Sequence, residues 1–201
     1  MGIRILAFCG STRSGSFNRK LLEVAVQGAH DAGAEVTTVP SLAVFELPLY
    51  DGDLEVREGL PPGAVALQQL LEEHDALLVA TPEYNGGYSA VLKNSIDWIS
   101  RPRPDKTLGT ALFAGKPAAV VSASPGPFGG LRSQLAFRGV LEKLGMVVIP
   151  DAVALGHAHE AFDDEGHLRE PGMERQAVRV GTALARFTSR MIVQPNVTAL
   201  P

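Results

Sequence analysis

Hydroxyls, glycines and one arginine crowd the stretch GSTRSGSFN, from Gly10 to Asn18. Ser11, Thr12, Ser14 and Ser16 offer side-chain donors, Gly10 and Gly15 free the backbone, and Arg13 adds positive charge. If a helix begins where this loop ends, its unpaired N–H groups and the positive end of its dipole form a cradle for a phosphate dianion. A serine-rich turn in which Ser16 caps the helix is the plainer reading of the same residues. Two better-known cradles are missing: there is no GxxxxGK[ST], and no GxGxxG followed by an acidic residue some twenty positions on. A nucleoside triphosphatase and a nicotinamide-binding Rossmann domain are therefore disfavoured.

Two further stretches could face a ligand. In TPEYNGGYSAVLKNSIDWI, Thr81-Pro82 ends an apolar run, Asn85-Gly86-Gly87 gives backbone freedom, and Tyr84 brings a planar ring. Free backbone amides beside an aromatic ring suit a flat heterocycle rich in acceptors, although a turn with a packing tyrosine would read the same way. In SASPGPFGG, Gly126, Gly129 and Gly130 permit close approach of the backbone, and Pro125 and Pro127 stiffen it.

Such loops need a frame. Short apolar runs, IRILAF from Ile3, EVTTV from Glu35, ALLVA from Ala76, AAVVS from Ala118 and MVVI from Met146, alternate with amphipathic stretches. The runs are nearly continuous, as for strands covered on both faces. Between them, Leu21, Leu22, Ala25 and Ala29 recur at helical spacing, as do Tyr88, Val91, Leu92, Ile96 and Ile99. Phe137, Val140, Leu141 and Leu144, then Ala177, Val180, Leu184, Phe187 and Met191, repeat the pattern. This predicts a doubly wound α/β fold with a five-stranded parallel sheet, a single domain over residues 1–201, and a tail that frays from about residue 192. Ligands of such sheets sit at the carboxyl ends of the strands near the switch point, where the three unusual loops fall. Three other stretches break the rhythm, around PSLAVFELPLYDGD, RPRPDKTLGTALFAG and GHAHEAFDDEGH.

Composition narrows the choice of partner. The 201 residues carry a net charge of -4 and no basic block, which argues against nucleic acid and against a membrane surface. No apolar run is long enough to span a bilayer, and GIRILAFCG is too short for a secretory signal, so a cytoplasmic protein is expected. Cys9 is the one cysteine and has no resolving partner, so it reads as a small buried hydrophobe, and redox chemistry would need a bound cofactor. His157, His159 and Glu160 lack a further ligand at a metal-site spacing, so no metal is expected. Asp163, Asp164 and Gly166 read as a turn.

GSTRSGSFN, PEYNGGYSAVLKNSIDW and SPGPFGGLRSQLAFRGVL, at these separations, resemble the NADPH-dependent FMN reductase family, which includes flavodoxin-like quinone, chromate and azo-dye reductases. The resemblance runs from Ile3 to about Leu144 and implies a flavodoxin-like three-layer sandwich. By that resemblance the FMN phosphate falls to Ser11, Arg13, Ser16, the backbone of Phe17, and Asn18. The isoalloxazine falls to Pro82, Glu83, Tyr84, Asn85 and Gly86, with Ser124 and Gly126 flanking it from the other side. It also implies two half-reactions at one site, in which NADPH or NADH reduces FMN and a small-molecule acceptor then collects the electrons. Quinone, free flavin, chromate and azo compounds are the acceptor classes. No side chain need act as an acid or base, so no catalytic residue is assigned. The resemblance further implies a homodimer or homotetramer, with the helix carrying Trp98 packed against another subunit. The competing reading is a flavodoxin-like FMN-binding electron carrier or regulatory module without nicotinamide turnover. Arg13 in the phosphate loop and the mild charge argue against a carrier, and a phosphate-binding enzyme without flavin is a third reading.

Overall fold

The computed structural model describes residues 2–192. The frayed tail expected from about residue 192 lies, beyond Ile192, outside the described residues. Strands β1 (Arg4–Cys9), β2 (Glu35–Val39), β3 (Ala76–Ala80) and β4 (Pro117–Ala123) fall within a residue or so of the apolar runs. They pair in parallel in the order β2-β1-β3-β4. The chain leaves β1 for β2 on one side and returns to β3 on the other, so the switch point lies between the ends of β1 and β3.

The fifth sheet position departs from expectation. Instead of one strand over 146–149, two short segments share the edge of β4. β5 (Val147–Val148) pairs with Pro117 and Ala118, and β6 (Val153–Leu155) pairs with Val121 to Ala123. Pro150, which has no N–H to donate, sits in the interruption. The Gln134 amide bridges the gap, donating to Val153 O at 2.8 Å and Val120 O at 3.2 Å.

Helices cover both faces, as the alternation within the strands requires. Ile5, Ala7 and Cys9 of β1 face α1 (Phe17–Asp31) and α6 (Pro171–Ile192). Leu6 and Phe8 face the other layer, α3 (Pro62–Glu73), α4 (Ala90–Ile99) and α5 (Leu131–Lys143). α2 (Gly52–Glu58) and a 3-10 turn at Leu42–Phe45 fill the first irregular stretch. α1 and α6 touch backbone to backbone: a Cβ on Gly181 would lie 1.8 Å from Ala25 O, and one on Gly28 2.0 Å from Val178 O. Only glycines fit this crossing.

Trp98 is fully buried, and its indole N–H donates to Pro48 O at 2.8 Å. The tryptophan is therefore a core residue and offers nothing to a partner. No helix among the described residues is long and apolar enough to cross a membrane.

Candidate functional site

The loop after β1 is built around a helix start. Ser16 is the N-cap of α1, and its hydroxyl accepts from Arg19 N at 3.3 Å. The plainer reading of Ser16 and the cradle reading thus describe one arrangement, since a capped helix still leaves first-turn amides over. The N–H groups of Phe17 and Asn18 have no intrahelical partner by geometry. Ser11 and Ser16 are buried, while Arg13 is exposed.

Beneath the loop, the Cys9 thiol accepts from Ser11 N at 3.4 Å and lies 3.8 Å from Ser16 Oγ. Burial pushes the thiol pKa up, partly opposed by those hydrogen bonds and by the charge of Arg19. Arg19 was not singled out in the sequence. Its Nε is buried without a partner in the first turn of α1, close enough for its charge to reach Cys9. Arg19 lies outside the lining of the cleft, whereas the hydroxyls of Ser11 and Ser16, the free first-turn amides and Arg13 form a donor set that fits a phosphate dianion.

Asn18 has a structural task that the motif does not announce. Its Nδ2 donates to Ala123 O and its Oδ1 accepts from Ala123 N, both at 2.8 Å. The amide joins the start of α1 to the end of β4 with one of its two N–H groups and one oxygen lone pair, and Asn18 also lines the cleft.

In the loop after β3, Tyr84 and Gly87 exchange backbone hydrogen bonds at 2.9 and 3.0 Å. Asn85 and Gly86 between them have φ of 51° and 79°. Two successive positive φ values in a two-residue loop are the signature of a type I′ turn, the reason an Asn-Gly pair stands here. The turn lifts Tyr84 into solvent, leaving it 51% exposed. Behind it, Ser133 Oγ donates to Pro82 O at 2.7 Å and lies 2.7 Å from Thr81 Oγ1. The next helix is tied to the first loop, because Ser89, the N-cap of α4, donates through Oγ to Gly10 O at 2.6 Å.

The loop after β4 docks on the segment after β6. Ser124 N donates to Leu155 O at 3.0 Å, and Ala158 N donates to Ser124 O at 3.1 Å. Gly129, at φ 59°, lies so close to Ala154 and Leu155 that a Cβ would meet their backbone at 2.5 Å.

The three loops meet in one cleft. Ser11, Arg13, Ser16, Phe17 and Asn18 line it from the first loop, Pro82, Glu83 and Tyr84 from the second, and Ser124 from the third. Ala123 and Pro125 join them, whereas Asn85 and Gly86 form the turn beside it and Gly126 stays outside the lining. The enclosed volume is only about 60 Å³, so a flat ligand would lie across the cleft with one face open. Size alone would choose a different place. A recess of about 470 Å³ runs between α6 and the 149–151 turn, but none of the three loops reaches it.

Comparisons with known proteins identify the family. Residues 3–160 match the family described as NADPH-dependent FMN reductase. The NAD(P)H-dependent FMN reductase of Pseudomonas aeruginosa is 38% identical over 167 residues, 83% of this chain and 84% of that one. An NAD(P)H:quinone oxidoreductase of Solanum tuberosum is 42% identical over 194 residues, 94% of each. Among solved structures, the FerB flavoenzyme NAD(P)H:(acceptor) oxidoreductase of Paracoccus denitrificans superposes with a TM-score of 0.77 at 29% identity, covering 94% of this chain and 98% of its own. On the strength of the matched span and of relatives similar over nearly their whole length, the chain belongs to the NADPH-dependent FMN reductase family.

Proposed function

We propose that the protein is an NAD(P)H-dependent FMN oxidoreductase that passes electrons from a reduced nicotinamide to a small-molecule acceptor of the quinone, flavin, chromate or azo class. The observation that carries this reading is the meeting of all three carboxyl-edge loops in one shallow cleft, with cationic and amide donors at the first loop and the exposed Tyr84 ring on the second. FMN bound there would supply the two-electron chemistry. Ser11, Arg13, Ser16, the backbone of Phe17 and Asn18 would hold its phosphate. Pro82, Glu83, Tyr84, Asn85 and Gly86 would border its ring on one side, and Ser124 and Gly126 on the other. The shallowness of the cleft favours successive use of one face by donor and acceptor, since neither would be enclosed.

The test is the visible spectrum of the protein after loading with FMN and desalting, then after anaerobic addition of NADPH. A retained flavin spectrum that bleaches is the expected result. Flavin that stays oxidised under both NADPH and NADH would leave a binding module, and a colourless protein would refute the cofactor assignment.

A single cytoplasmic domain over residues 1–201, assembled as a homodimer or homotetramer, completes the proposal. Leu49 and Val56 support the assembly: they are 79% and 89% exposed, on the segment packed beside α4. Light scattering at the monomer mass of 21.3 kDa would refute it.

A further inference from the structure

Glu83 is placed unlike the three exposed residues that follow it, Tyr84, Asn85 and Gly86. Its side chain is only 8% exposed, although the paired Arg132 is 65% exposed. The carboxylate turns towards the start of α5: Oε1 accepts from Arg132 Nε at 2.8 Å, and Oε2 accepts from Ser133 N at 3.4 Å. That helix has no side-chain cap of its own, because its N-cap is Gly130 at φ 83°. Gly130 is also where the loops crowd, since a Cβ there would come 3.0 Å from Ser122 Cβ and 3.7 Å from Glu83 Cβ. The loop after β3 therefore supplies the acceptor that the helix after β4 lacks, at the N3 amide where a cap is normally received.

We propose that Glu83 is a positioning residue, which caps α5 from the neighbouring loop and holds the Pro82–Gly86 segment at the cleft, and that Arg132 neutralises its charge so that the bound flavin sees a balanced pair. Ser133 completes the clamp from the same helix turn, with its N–H on Glu83 and its hydroxyl on Pro82 O. The charge balance has a direction. Reduction adds electrons to the flavin, so nearby negative charge disfavours it and nearby positive charge favours it. Glu83 lines the cleft, hence removal of either partner leaves an uncompensated charge beside the ring. This half rests on the FMN reading above, whereas the capping half concerns the protein alone.

The experiment compares E83A, E83Q, R132Q and R132K. In the apoprotein, E83A lowers the thermal midpoint, and E83Q, whose amide oxygen still accepts from Ser133 N, retains most of it. Equal midpoints for E83A and wild type would overturn the cap. In the FMN-loaded protein, E83A weakens FMN binding about tenfold, and E83Q by less than about threefold. The potential of the bound flavin rises in E83Q, falls in R132Q and stays near wild type in R132K. Loosening alone would move E83Q and R132Q in the same direction, so a common sign, or no shift in either, would overturn the charge balance. Wild-type protein that takes up no FMN would sink the functional reading and the charge balance with it, and the apoprotein midpoints would still decide the cap.

Discussion

Replacing Asn18 by alanine tests how far its amide serves the fold. The side chain is 5% exposed and makes two hydrogen bonds of 2.8 Å to the backbone of Ala123. Truncation removes both and leaves a buried N–H and C=O of β4 without partners. An unsatisfied buried group costs about 1–3 kcal/mol. The two together, softened by entering water, should cost about 2–4 kcal/mol. For a chain of this size each kcal/mol is worth roughly 2–4 °C, so the midpoint should fall by about 5–15 °C. Urea denaturation of the apoprotein measures the loss without any cofactor. N18D separates the two bonds, since its carboxylate still accepts from Ala123 N but faces Ala123 O without a donor, and it should be no more stable than N18A. Apoprotein stability within about 0.5 kcal/mol of wild type in N18A would refute the reasoning.

Three other perturbations have equally definite outcomes. G181A forces a Cβ to 1.8 Å from Ala25 O in the α1–α6 crossing and should cost about 3 kcal/mol or more, whereas G139A, with nothing within 4 Å of its Cβ in an exposed turn of α5, should gain about 0.5–1 kcal/mol; thermal melts of the pair check both. R13A should raise the FMN dissociation constant about five- to tenfold by fluorescence titration, because an exposed arginine contributes at the lower end of a charge-assisted contact. Unchanged affinity would remove Arg13 from the site. The Cys9 thiol, buried and with its pKa raised by that burial, should react with a disulfide reagent far more slowly than a free thiol at pH 8 and fully only after unfolding. Rapid reaction in the folded protein would contradict its placement.

Four strands and the helical stripes were legible in the sequence because strands covered on both faces must be apolar throughout, and β1, β3 and β4 are so covered. The divided fifth strand was not. Met146 to Ile149 carry the right residues, but the edge of β4 is shared between two short segments, and the bridging contact comes from Gln134 on the preceding helix. The site divides along the same line. Residue types placed the donors, and the Asn85-Gly86 pair announced its turn. What Asn18 and Ser133 do depends on Ala123, 105 residues from the first, and on Pro82, 51 residues from the second, and no local pattern records such a partner. Arg19 escaped notice because an arginine in the first turn of a helix looks like an ordinary surface charge until its Nε is found buried.

These long-range ties carry a consequence for how the cleft works. Each loop is fixed by an element distant from it in the chain: Ser89 holds Gly10, Asn18 holds Ala123, Ser133 holds Pro82, and Leu155 of β6 holds Ser124. Tyr84 and Arg13 stay exposed at the cleft, while the tying groups are buried or half-buried. A cleft of this kind is organised before any ligand arrives, so binding does not have to order its loops. It also makes the ties cooperative. A loosened Asn18–Ala123 link frees the end of β4, which bears Ser124, and so disturbs the third loop from a residue on the first. The N18A variant should therefore lose FMN affinity as well as stability, and it should lose it with a slower association rate, because loops that must first find their places reduce the binding-competent fraction. An unchanged association rate in that variant would mean that the loops are independent, each held well enough by its own strand.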